Sequence, residues 1–178
     1  MDTTSRDALG QALGAVSSRH RVEAAYALGR CVPSSAELLS TDAERGVLVE
    51  RVSRLVDGGP GEARAAWKAL AAFGELPQDL PASPLSESPP APEVELEMVR
   101  ALATTQPGRS ALAKGLASVE FAGFEGPRWG VLFAAIRGLR PHAVTDSDVA
   151  AMVPVLAAKV AEGIVKTEGR AGRALGRW

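Results

Sequence analysis

Apolar residues recur along this chain at spacings of three and four, the mark of helices that bury one face. Leu9, Ala12, Leu13 and Val16 place a first helix over residues 5–17. After a polar turn at residues 17–19, Val22, Ala25, Tyr26 and Gly29 carry a second, which Pro33 is expected to end. Leu48, Val52, Leu55 and Val56 stripe a third, and the capping-box spacing of Thr41 and Glu44 starts it near Asp42. Asp57–Gly61 reads as a turn, because two glycines and a proline suit a turn better than a helix interior. Ala63, Ala66, Trp67, Leu70 and Gly74 then share one face of a fourth helix.

The pattern breaks at residues 77–92, which hold six prolines and predict extended or disordered chain. Glu93–Met98 alternates polar and apolar, a strand signal taken alone. No second strand exists to pair with it, and Val99–Ala103 continues helically, so a fifth helix is predicted there. Pro107 suits the first turn of a sixth, with Leu112, Leu116 and Val119 inward. Pro127 opens a seventh, striped by Trp129, Leu132, Phe133 and Ile136. Thr145 and Asp146 are candidate caps for an eighth, whose stripe is Val149, Met152, Val153, Leu156 and Val160 and which Pro154 should kink. Residues 167–178 predict a short ninth helix.

Composition changes this picture in two respects. Apolar residues make up 46% of the chain but aromatic ones only 4%, so the core is built from Ala, Val and Leu, side chains that let helices approach closely. The formal charge of −1 gives no global attraction to nucleic acid or membrane. It is unevenly placed, however: residues 1–76 carry 9 basic and 10 acidic groups, residues 77–97 carry 5 acidic and no basic ones, and residues 98–178 carry 11 basic and 6 acidic ones. Attraction between the acidic middle and the basic C-terminal half is the plain explanation. Cys31 is the single cysteine, read as a buried thiol, which excludes a disulfide framework and suits a reducing compartment. With no signal-peptide pattern at the N-terminus and no apolar run long enough to span a bilayer, a cytoplasmic protein is expected.

The second helix of the pair over residues 47–74 has weaker echoes in VEAAYALGR (22–30), RWGVLFAAIRGLR (128–140) and RAGRALGR (170–177). Corresponding positions Leu28, Leu70, Ile136 and Leu175 are separated by 42, 66 and 39 residues, and the long interval contains the Pro-rich segment. Two of the three match the ~40–47-residue period of helical-pair repeats. With Leu55-Val56-Asp57 followed by Ala63-Arg64-Ala65-Ala66 and Ala69-Leu70, and with Met152-Val153-Pro154-Val155-Leu156 as a proline-bearing first helix, the chain resembles the HEAT-repeat family. The resemblance implies an all-α, short right-handed solenoid of about four helix pairs, near residues 6–32, 45–76, 109–140 and 146–177. It also implies that Asp57 and Arg64 lock the turn and the neighbouring repeat; only the second unit carries both. The expected organisation is a helical block at 1–76, a Pro-rich acidic linker or loop at 77–93 and a second block at 94–178.

Chemistry is sparse. His20 and His142 are isolated, no HExxH or CxxC is present, and Gly58-Gly59-Pro60-Gly61 lacks the Lys-Ser/Thr of a phosphate loop. No cofactor, metal site or catalytic residue is therefore assigned. Tyr26, Trp67 and Phe133 occupy similar second-helix positions and read as core packing. The sharpest binding signal is the basic stripe Lys159, Lys166, Arg170, Arg173 and Arg177, with Leu175 and Trp178 as its apolar flank. The candidate site is thus Lys166, Arg170, Arg173, Arg177 and Trp178. The main expectation is a non-catalytic module binding another protein as adaptor, scaffold or inhibitor. The alternative is a nucleic-acid-binding HEAT-like protein that uses the basic stripe, against which the net charge speaks.

Overall fold

The computed structural model describes residues 3–15, 17–35, 42–80, 85, 90–119 and 128–167. Among them are eight α-helices and no strand: α1 (Thr3–Leu13), α2 (Ser18–Ser35), α3 (Asp42–Ser53), α4 (Pro60–Phe73), α5 (Pro92–Leu102), α6 (Gln106–Ser118), α7 (Arg128–Leu139) and α8 (Ser147–Thr167). A short 3₁₀ turn, Arg140–His142, follows α7. The chain divides into two compact units, Met1–Leu80 and Pro81–Trp178.

The helix ends show which local signals hold. Gly59 caps α4 and Pro60 occupies its first turn, so the turn foreseen to Gly61 ends two residues earlier. At the other end Gly74 takes a left-handed conformation (φ 66°), and the Glu75 N–H donates to the Leu70 carbonyl at 3.2 Å. Pro33 does not end α2, which runs on to Ser35. A proline so near a helix C-terminus costs only one backbone bond, and its φ is already helical. Glu93–Met98 is helical as expected, within α5. Thr105 accepts a hydrogen bond from the Gly108 N–H (3.2 Å), a cap ahead of Pro107 that the apolar pattern does not reveal. Asp146 caps α8, accepting from the Asp148 and Val149 N–H groups at 3.2 and 3.4 Å. Pro154 lies inside α8, which continues past it to Thr167. Thr41, Pro127 and residues 168–178 lie outside the described residues.

In the first unit α1 packs on α2 and α3, and α4 packs on α3 and, most extensively, on α2. Cross-helix contacts fix the directions. Gly10 bonds Arg51, Arg21 bonds Glu62, and a Cβ on Gly29 would sit 3.3 Å from the Ala69 Cα. The partners between α2 and α4 are 41 and 40 residues apart at two points along the helices, so α2 and α4 run parallel. Backbones come this close because α4 is largely alanine: Ala63, Ala65, Ala66 and Ala69 are all buried, with Trp67, Leu70 and Phe73 filling the remaining volume.

In the second unit, too, helices two places apart in the chain pack together. α5 packs on α7 and α6 on α8, with α5 and α7 both touching α6. Arg109 meets Asp146, Ser110 meets Asp148, and Lys159 meets the Val119 carbonyl, so α6 and α8 are parallel. α5 falls outside the repeat units read from sequence, yet Val94, Met98, Val99, Ala101 and Leu102 are all buried. Gly108 lets α6 turn tightly off the end of α5, since a Cβ there would overlap the Leu102 carbonyl oxygen. Within the Pro-rich segment, Leu85 is fully buried.

Trp67 is 2% exposed at the centre of the first unit. Trp67→Ala should destabilise this unit by about 3–5 kcal/mol, the cost of emptying a buried site of this size. Chemical denaturation measures this; an unchanged midpoint would contradict the packing.

Candidate functional surface

The residues singled out from sequence fare unevenly. Lys166 lies near the end of α8 with its side chain outside the described residues, as is that of Cys31 in α2. Arg170, Arg173, Arg177 and Trp178 lie outside the described residues altogether. Lys159, which begins the stripe, donates to the Val119 carbonyl at 2.8 Å and so closes the end of α6. Asp57 and Arg64 are both exposed, and no ion pair joins them. The turn ahead of α4 is instead locked by Glu62 and Arg21, a pair whose residues are 41 apart in the chain.

Glu62 is the third residue of α4 and is buried. It accepts from Arg21 Nε at 2.8 Å, while Arg21 Nη1 donates to the Ala15 carbonyl at 2.6 Å. Burial alone would push the Glu62 carboxyl up. Hydrogen bonds from Ser18 and Arg21, the Arg21 charge and the Gly59 N–H outweigh this and hold it below its ordinary range. Two similar locks occur in the second unit. Arg128 forks onto the fully buried Glu95 (3.1 and 3.4 Å), tying α7 to α5. Arg109 holds Asp146 at 3.1 Å, tying α6 to α8. Burial opposes ionisation of Asp146, but the Arg109 hydrogen bond, the Val149 and Asp148 N–H groups and the Arg109 charge lower its pKa.

These locks and caps matter for function because they engage so many cations. Arg45 donates to the Phe73 carbonyl and pairs with Glu75, and Arg51 donates to the Gly10 carbonyl. Arg54 pairs with Glu50, and Arg100 with Glu97. Among the described residues of the first unit, the cations left over form a row on the outer side of α2 and α4. Along α2 it runs Arg19, Glu23, Tyr26 and Arg30; along α4, Arg64 and Lys68, one helical turn apart. Lys68 Nζ lies 5.4 Å from the centre of the Tyr26 ring and joins the two halves of the row. Arg19 and Glu23 neutralise one another at 2.9 Å. Arg30 and Arg64 are exposed and have no carboxylate partner among the described residues. The result is a basic strip with one aromatic ring, on a rigid pair of parallel helices.

Of the three aromatic residues in similar second-helix positions, Trp67 is buried. Tyr26 and Phe133 are half-buried; Phe133 packs against Trp129 with ring centres 5.8 Å apart. His20 is exposed and His142 half-buried. Among the described residues no three His, Cys, Asp or Glu side chains cluster as metal ligands would, and no helix is long and apolar enough to cross a membrane.

A carboxyl whose pKa is lowered in the fold contributes stability above its unfolded pKa, about 4.3 for Glu, and loses it as the pH falls through the lower folded value. Wild type should therefore exceed Glu62→Gln in Tm by a constant margin at neutral pH, and that margin should shrink below about pH 4. Thermal melts of both proteins across this range give the answer. A margin unchanged to about pH 2 would mean that Glu62 is not an ionised partner of Arg21.

Comparison of the chain with protein-family models, curated proteins and solved structures finds no match.

Proposed function

We propose that this chain is a non-catalytic protein–protein interaction module, an adaptor or inhibitor built of HEAT-like helix pairs, that holds an acidic segment of another protein on the outer row of α2 and α4. The observation that carries this reading is the row itself. Most arginines of the first unit are engaged in closing helix ends or pairing carboxylates, whereas Arg30, Arg64 and the Lys68–Tyr26 pair face outward from two helices held in parallel register. Support for the repeat reading comes from helices two places apart that touch at intervals near 40 residues in the first unit and between α6 and α8. Within the first unit the two second helices, α2 and α4, lie side by side, and an extended partner could run along both.

The chemistry of the row selects the partner. Two arginines can each fork onto a carboxylate, and the Tyr26 ring offers an apolar contact between them. The same cations would also meet phosphates, which makes nucleic acid the outcome to exclude.

Anisotropy with a labelled Glu-rich peptide and a labelled DNA duplex, each at low and moderate salt, separates the two. Wild type should bind the peptide, and Arg64→Glu/Lys68→Glu should weaken it about tenfold, ~1.4 kcal/mol, at unchanged helicity. Salt should mimic the mutation, since exposed charges act through screened forces. Binding of DNA in preference to the peptide would replace this reading with the nucleic-acid one. Equal peptide binding by both proteins would remove α2 and α4 as the site.

A further inference from the structure

α8 closes the stack of the second unit, and its outer side carries an unusual sequence. From Val149 to Ala158 ten consecutive residues are apolar, yet only Val149 and Leu156 are buried. Ala150, Ala151, Pro154, Val155, Ala157 and Ala158 are exposed, Val155 to 37%. The last layer of a helical stack normally turns a polar face to water. Here the ends of the apolar strip are charged, with opposite sign, and lie on one edge. Asp148 accepts from the Ser110 hydroxyl at 2.6 Å and Lys159 donates to the Val119 carbonyl at 2.8 Å, so both sit on the side of α8 that borders α6.

We propose that this face is where a second copy of the chain docks, α8 against α8, antiparallel about a two-fold axis beside Pro154. The charge pattern selects this occupant. Residues 148 and 159 are equidistant from a point between Val153 and Pro154. A two-fold axis there, perpendicular to the helix and in the plane of contact, keeps each edge on its own side while reversing direction. Asp148 of each copy then meets Lys159 of the other, twice. Asp148 and Lys159 each keep the contact to α6, which sets them in place before the second copy arrives. Alanines along the strip let the two helices approach closely, and Val155 and Pro154 fill the centre. A formal charge of −1 per chain puts no Coulomb barrier in the way of self-association. The strip is narrow compared with the ~800 Å² that each partner of a standard interface buries. The dimer is therefore weak and concentration-dependent.

Sedimentation velocity of the full chain across about 1–200 µM tests this, the range in which a weak dimer forms. Wild type should shift from monomer to dimer with rising concentration. Val155→Glu and Ala151→Glu, both at exposed positions, should raise the dissociation constant at least tenfold with helicity unchanged. Asp148→Lys alone and Lys159→Glu alone should each weaken the dimer, and an equimolar mixture of those two variants should restore it as a heterodimer, an effect that damage to the fold cannot produce. A wild type that stays monomeric throughout would overturn the proposal. So would a dimer indifferent to Val155→Glu, or a mixture that fails to recover association.

Discussion

Alanine-rich helices pack closely but slide easily, because small side chains offer few ridges to fix one register. In this protein register is set by arginine reaching a buried carboxylate two helices away. Arg21 holds Glu62 between α2 and α4, Arg128 holds Glu95 between α7 and α5, and Arg109 holds Asp146 between α6 and α8. Each guanidinium is a rigid fork, and each carboxylate is buried where an unmatched charge would be costly, so a shift of one turn is penalised twice. Such pairs add little to stability compared with apolar residues of the same volume. What they supply is a single alignment of helices that the Ala, Val and Leu contacts alone leave open.

Two of these arginines, with Arg45 and Arg51, also close helix ends. Arg21 also donates to Ala15, Arg109 to Ala103, Arg51 to Gly10 and Arg45 to Phe73, each acceptor at or just past the last turn of a helix. Those carbonyls have no donor within their own helix and carry the negative end of its dipole. A long basic side chain from the next layer satisfies them while its methylenes cover apolar surface. Stacking and capping are therefore one interaction seen from two sides, and a chain with few aromatics gains cohesion from it.

This has a consequence for the charge asymmetry of the sequence. The acidic stretch and the basic C-terminal half meet in part through Glu95 and Arg128, so the two blocks of opposite sign partly cancel inside the second unit. Lys159, the first residue of the basic stripe, is tied to α6. Among the described residues of the first unit, the cations that remain available sit on α2 and α4.

Periodicity alone determined the helices and most of their inward faces: Leu13, Ala25, Leu48, Val52, Leu70, Leu112 and Leu132 are buried where their spacing places them. It also settled Glu93–Met98 as helix, because a strand needs a partner and a helix does not. Local pattern could not decide which helix each face would meet. Nothing in the local pattern marks Glu62 or Glu95 for burial, and only the arrival of Arg21 and Arg128 from 41 and 33 residues away makes it possible. Asp57 and Arg64, the locking pair that the resemblance implies, remain in solvent, and the Arg21 guanidinium reaches Glu62 instead. The row on α2 and α4 was likewise invisible in sequence, since Tyr26 and Lys68 become neighbours only when Gly29 and Ala69 let two backbones nearly touch. Spacing along a helix is a local property of the backbone, whereas the identity of a charged partner depends on distances that only the packed chain creates.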